Sequence, residues 1–223
     1  MLAKKWLVLL SIIALLALSY SVDSQAKYTK RDGKWEASFQ LLNSLSTDFD
    51  GKNGSGVEID SDIGWGFTLG YNVNPHVLVN YQFSATTPDY DATLTKEDNN
   101  DSYHIRHNMD LYNSQFNVVY NLMTEQFTPF VQAGIGWTYL DSNIADGPPD
   151  YFCWYDPWWG RQCIGDQNTF DDTRFSYNLA AGVRYELDNS MFFRASYQQN
   201  WISMSHSDDL SVGMVHLEIG SIF

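Results

Sequence analysis

Apolar and polar residues alternate with period two along most of the chain, the pattern of β-strands that present one apolar side. Over 63–73, Ile63, Trp65, Phe67, Leu69, Tyr71 and Val73 face one way, and Gly64, Gly66, Thr68, Gly70 and Asn72 the other. The stretches 77–85, 131–139 and 175–185 repeat the pattern. Eight strands are predicted in all, at about 35–45, 59–73, 77–86, 109–121, 128–140, 173–187, 191–202 and 211–223. The connections between them alternate in length. Those at 46–58, 87–108, 141–172 and 203–210 are long and polar. Those around Asn74-Pro75-His76, 122–127 and Asp188-Asn189-Ser190 are short turns.

An even strand number lets both ends of a closed barrel lie on one side, and alternating short turns and long loops is the layout of bacterial outer-membrane barrels. Trp35, Trp137, Tyr139, Tyr185 and Trp201 fall near strand ends on the apolar face, where interfacial girdles belong. Glu36, Arg184, Glu186, Arg194, His216 and Glu218 all fall in the polar register. An Arg or Lys facing lipid at the midplane would cost about 2–4 kcal/mol. The charge found in the apolar register is Asp110, at the long-loop end of its strand. A soluble sandwich also alternates, but it leaves open edges that a barrel removes. The glycines at 64, 66, 70, 134, 136 and 182 sit on the polar side, which suits a narrow lumen. The expected fold is all-β, an eight-stranded antiparallel up-and-down transmembrane β-barrel.

The N-terminal segment reads differently. Lys4 and Lys5 precede an apolar run from Trp6 to Leu18, broken only by Ser11, and the chain reaches Ser24-Gln25-Ala26. That is the build of a secretory signal peptide. About 13 apolar residues are too few for a spanning helix, which needs about 20. Residues 1–26 are expected to be removed, leaving 27–223 as the barrel domain.

Composition sharpens the picture. Eight Trp, 14 Tyr and 13 Phe among 223 residues exceed the needs of an ordinary soluble core and argue against disorder. The formal charge of −14 argues against nucleic-acid binding, because such a chain repels a phosphate backbone.

The segment Thr128-Pro129-Phe130-Val131-Gln132-Ala133-Gly134-Ile135-Gly136-Trp137-Thr138-Tyr139 resembles the fifth strand of the small eight-stranded outer-membrane barrels, the OmpA-like and OmpW-like group. Gly64-Trp65-Gly66-Phe67 followed by Leu69-Gly70-Tyr71 is similar to that group's second strand. Phe223, with Ile219 and Leu217 in register, resembles the terminal signal read by the barrel-assembly machinery, although Ser221 stands where an aromatic is common. The resemblance covers nearly all of 27–223. It implies a protein of the Gram-negative outer membrane, in contact with its lipid and lipopolysaccharide, and a monomer.

No catalytic motif is present: no Gly-rich phosphate loop, no paired His at metal spacing, no Gly-x-Ser-x-Gly. No cofactor and no metal are expected. His104 and His107 share a loop with Asp101, a spacing that also arises by chance in solvated loops. His206, flanked by Ser205 and Ser207, invites comparison with lipid A deacylase barrels of the same strand number. Their His-x-Ser spacing is missing, since Asp208 stands two residues on.

Cys153 and Cys163 lie in the longest loop, and an even cysteine count in an exported loop reads as a disulfide. Trp154, Tyr155, Trp158, Trp159 and Arg161 lie between them, just after Tyr151 and Phe152. Two arrangements follow: the rings pack on each other under the staple as a cap over the barrel mouth, or they form an exposed binding tip. The loops are acidic. Loop 87–108 has Asp89, Asp91, Glu97, Asp98 and Asp101 against Lys96 and Arg106, and loop 141–172 carries Asp residues against Arg161 alone. Solvation accounts for such a loop, and divalent cations tying it to lipopolysaccharide phosphates are the alternative.

Glu36, Arg184, Glu186, Arg194 and Glu218 come from strands that are consecutive around a closed barrel, near the short-turn rim. They are expected to converge as an ion network that blocks the bore, because an eight-stranded lumen is just wide enough for side chains to fill. The function expected is structural or surface-interaction through the long loops. The alternatives are OmpW-like passage of small solutes and, more distantly, lipid A modification.

Overall fold

The structure, a computed structural model, describes residues 31–50, 56–95, 102–145, 150–166, 169–187, 190–204 and 209–223. The predicted signal segment and Asp101, Asp188, Asn189 and His206 lie outside those residues.

The described residues form β1 (Trp35–Ser44), β2 (Thr47–Asp50), β3 (Gly56–Ile59), β4 (Asp62–Asn72), β5 (Val77–Thr86), β6 (Asp89–Thr95) and β7 (Ser102–Asn108). They continue with β8 (Asp110–Asn121), β9 (Phe127–Ala145), β10 (Asp150–Asp156), β11 (Gly160–Asp166), β12 (Thr169–Glu186), β13 (Met191–Ile202) and β14 (Leu210–Ile222). Eight of them close a barrel in the order β1-β14-β13-β12-β9-β8-β5-β4, every pair antiparallel. The seam is made by the first and last strands: Trp35 N–H donates to the Phe223 carbonyl at 3.0 Å, and Phe223 N–H to Trp35 at 2.9 Å.

The period-two pattern becomes an inside and an outside. Ile63, Phe116, Ile135 and Leu217 point outward and are more than half exposed, whereas Gln40, Asn72, Gln115, Asn178 and Asn200 point inward and are buried. An inverted polarity of this kind, apolar outside and polar inside, is stable only where the surrounding solvent is hydrocarbon. Aromatic pairs mark both rims of the apolar band. Trp35 lies 5.2 Å from Tyr71 at the short-turn end, and Tyr177 stacks on Trp201 at 5.2 Å toward the other end. At 73–77 the Asn74 side chain accepts the backbone N–H groups of His76 and Val77 at 2.8 and 2.9 Å, closing a tight turn.

The long connections are more structured than their polarity suggests. Segments 46–58 and 87–108, expected as long polar connections, hold β2, most of β3, β6 and β7, which pair in the order β2-β3-β6-β7. This small sheet continues the half of the barrel wall formed by β1, β4, β5 and β8. Its Ile59, Tyr90 and Ala92 are buried with the inward residues Leu42, Leu111, Leu140, Ile202, Leu210, Val212 and Met214 in one apolar cluster at the long-loop mouth. A polar composition hid this, because among the described residues of the four short strands only Ile59, Tyr90 and Ala92 are buried in the cluster, with Val57 packed against it. Connection 141–172 likewise contains the ends of β9 and β12, then the two-stranded hairpin β10–β11.

Candidate functional site

The barrel interior is filled in three layers. At the short-turn end stands an ion network drawn from β1, β12, β13 and β14. Glu36 is its centre: Arg194 Nη2 donates to Oε1 at 2.5 Å and Arg184 Nη1 to Oε2 at 2.8 Å, while the Asn72 amide adds a bond to Oε2 at 3.0 Å. Arg184 Nε also donates to Glu186 Oε1 at 2.8 Å. Arg194 Nη1 lies 3.6 Å from Glu218 Oε2, which in turn accepts the Ser38 hydroxyl at 2.8 Å. The five residues expected to converge are thus placed together, each nearly sealed from solvent.

A sixth member had no signal in the strand pattern. Arg31 precedes β1, and the turn closed by Lys34 N–H on the Arg31 carbonyl turns it back under the barrel. Its Nη1 donates to Glu186 Oε1 at 2.8 Å, its Nε to the Pro75 carbonyl at 2.6 Å and its Nη2 to the Met123 carbonyl at 2.6 Å. One guanidinium therefore ties β12 to two of the short turns. With Arg31 the network holds three Arg against three Glu, so its formal charge cancels. Aromatic faces complete the layer: Arg184 lies 4.1 Å over the Phe192 ring, and Arg194 lies 5.1 Å from Phe192 and 5.6 Å from Phe130. Phe130 also packs with Leu78 and Val119 in a second apolar cluster.

The middle layer is a lattice of neutral amides. Asn178 Nδ2 donates to Gln115 Oε1 and Asn117 Oδ1 at 2.9 and 2.8 Å, and Asn117 Nδ2 donates to Asn80 Oδ1 and Gln82 Oε1 at 3.0 Å each. Gln132 and Gln198 join through Gln82 and Gln115, and His216 Nδ1 meets Gln40 Oε1 at 3.1 Å. Sequence reading placed small residues and amides alike on this side without foreseeing the lattice; the two are complementary. A Cβ on Gly134 would collide with the Asn117 side chain and approach Asn178 Nδ2 to 2.7 Å, so the bare backbone makes room for the lattice. The third layer is the apolar mouth cluster described above, where the Tyr90 hydroxyl donates to the Ser142 carbonyl at 3.3 Å.

The hairpin β10–β11 stands apart from these layers. Cys153 and Cys163 are cross-strand partners joined by a disulfide. At the tip, Asp156 Oδ1 accepts the backbone N–H groups of Trp158 and Trp159 at 2.8 and 3.0 Å, and Gly160 takes φ +72°, a conformation that L side chains resist. Trp158 is 88% exposed, Tyr155 81% and Trp159 76%, and Arg161 opposite Tyr155 is exposed as well. Tyr155, Trp158 and Trp159 therefore do not pack as a cap. Ile59, Tyr90 and Ala92 of the four-stranded sheet pack at the mouth instead, and the tip rings stand in solvent because the disulfide and turn hold them in a two-stranded arm. The backbone of Trp154 pairs with Gln162, and its side chain lies outside the described set.

Among the described residues, no group of three His, Cys, Asp or Glu is placed to hold a metal ion. His104 and His107 lie on β7. The family profile described as the outer membrane protein beta-barrel domain matches residues 12–223. The chain belongs to that family. It is a protein of the Gram-negative outer membrane.

Solved outer-membrane barrels share its fold and little of its sequence. The Neisserial surface protein A is 11% identical at a TM-score of 0.57, with 85% of this chain and 97% of that one covered. The outer membrane protein OprG from Pseudomonas aeruginosa is 13% identical at 0.51, covering 86% and 97%. Ail, the attachment invasion locus protein of Yersinia pestis, solved with the heparin analogue sucrose octasulfate, is 17% identical at 0.50, covering 86% and 99%. No curated protein matches the chain by sequence. At these identities the likeness shows the fold alone.

Proposed function

We propose that this barrel is an anchor for surface interaction: the cylinder holds the chain in the outer membrane, and the external sheet and stapled hairpin meet the partner. The observation that carries this reading is the filled interior. From the periplasmic end outward, the bore holds the Arg–Glu network, then the amide lattice, then the apolar cluster under the external sheet. A charged or polar solute would have to break each in turn, and an apolar one would have to cross the first two. Passage of solutes through the bore is thus the weaker reading, and lipid A modification has no described catalytic constellation behind it.

The experiment is a hairpin replacement. A variant with residues 150–166 exchanged for a short Gly-Ser turn should still give a folded, heat-modifiable barrel on a gel. Cells displaying it should lose binding to the surfaces that the native protein engages. Unchanged surface binding together with lost solute uptake would overturn the reading in favour of transport.

A further inference from the structure

We infer that the β10–β11 hairpin docks on a zwitterionic, choline-bearing lipid bilayer facing the cell. The inference rests on the surface-interaction reading and names its partner class. It starts from the order of side chains along the hairpin. The outermost residues are Pro157, Trp158 and Trp159, with both Trp side chains exposed. Next come the cross-strand partners Tyr155 and Arg161, also exposed, and behind them the Cys153–Cys163 bond. The Tyr–Arg pair sits one strand step, about 3.3 Å, behind Asp156 and Gly160, and the turn that bears both Trp lies beyond those two. That order puts the Trp rings ahead of the Tyr–Arg pair, as entry of apolar groups to about 5–10 Å into the headgroup–acyl boundary requires. Trp rings settle at that boundary, with Tyr and Arg at phosphate level, where Arg can pair with the phosphate oxygens.

Two further features fit insertion. The tip backbone is already satisfied: the N–H groups of Trp158 and Trp159 are held by Asp156 Oδ1, and the Trp159 carbonyl accepts the Gln162 amide at 2.9 Å. The tip can therefore leave water without orphaning those groups. The disulfide also fixes the arm before docking, so little ordering remains to be done on contact.

Charge selects the bilayer. The external connections are acidic, with Asp60 and Asp91 about half exposed around Arg106, and Asp150, Asp156 and Asp166 on the hairpin itself. This field repels anionic phospholipid and the phosphates of the cell's own lipopolysaccharide leaflet. A choline surface presents quaternary ammonium groups outermost, which acidic side chains and the faces of Trp and Tyr attract.

The test uses the full chain held in a non-ionic amphipol and mixed with large vesicles of phosphatidylcholine, of phosphatidylglycerol, or of phosphatidylethanolamine containing lipopolysaccharide. Flotation should recover the protein with phosphatidylcholine at least tenfold more than with either anionic vesicle. Brominated acyl chains should quench part of its Trp fluorescence. Trp158→Ala/Trp159→Ala should lose at least tenfold of the flotation and the brominated-lipid quenching, and Arg161→Gln should weaken flotation while leaving some quenching. Equal flotation with all vesicles, or undiminished flotation of the double variant, overturns the inference. If phosphatidylcholine fails but hairpin replacement still abolishes binding to whole surfaces, the lipid assignment falls and the surface reading stands. If replacement also changes nothing, both fall.

Discussion

Arg31 and Glu186, 155 positions apart, are joined by a 2.8 Å hydrogen bond at the short-turn mouth, with the arginine fully buried. The same guanidinium holds the carbonyls of Pro75 and Met123, so a residue outside the barrel strands fastens two turns and one strand. Replacing Arg31 by Ala removes all three bonds and leaves Glu186 with Arg184 alone. A loss of about 2–4 kcal/mol is expected, somewhat below the cost of breaking a buried pair outright. Urea unfolding in micelles checks it; a midpoint equal to wild type would show that Arg31 fastens nothing.

How much of this could be read in the sequence follows from where each signal lives. The eight barrel strands were legible because hydrocarbon outside and hydrogen-bonding groups inside impose a strict alternation, and the charged members of the lumen layer stood out in the polar register. Arg31 was not legible, since it lies in no strand and a lone Arg before a strand reads as a solvated residue. The amide lattice was overlooked because Asn and Gln in a polar register are equally at home in water. The external sheet escaped for a related reason: β2, β3, β6 and β7 are only four to seven residues long, too short for alternation to exceed chance. The exposure of the hairpin rings depends on a tertiary choice, arm or cap, that local pattern does not encode.

Gly134 tests the amide lattice. Gly134→Ala forces a methyl group onto the Asn117 side chain, and overpacking of this kind costs about 1–3 kcal/mol. Combining it with Asn117→Ala should recover part of the loss, because the colliding group is gone. The double-mutant cycle is read by denaturant midpoints in micelles. Additive losses would mean that the two residues do not meet.

Tyr90 tests the external closure. Tyr90→Ala removes a buried ring from the mouth cluster and its bond to the Ser142 carbonyl. Large-to-small changes of this type cost about 3–5 kcal/mol where the cluster cannot collapse. The loss should be local: protease cleavage within 87–108 should accelerate on intact cells while the barrel remains heat-modifiable. Resistance equal to wild type would show that the sheet is held elsewhere.

The staple should act on the hairpin alone. Cys153→Ser should leave barrel unfolding unchanged within about 0.5 kcal/mol, because β10 and β11 pair with each other and not with the barrel strands. Cleavage between 141 and 172 should rise, since the bond closes a ten-residue separation. Two free thiols in the oxidised native protein, found by mass mapping, would remove the staple from the account.

The central claim is that the interior is sealed. Planar-bilayer recording of the purified barrel tests it most directly, with Arg194→Ala beside wild type. Arg194 bonds Glu36 and faces Glu218, so its loss leaves two buried carboxylates short of a partner, at about 3–5 kcal/mol if fully desolvated. Wild type should show negligible steady conductance, and Arg194→Ala should show openings or leak. A large, stable, salt-proportional conductance in wild type would contradict the sealed interior and move a pore function to first place.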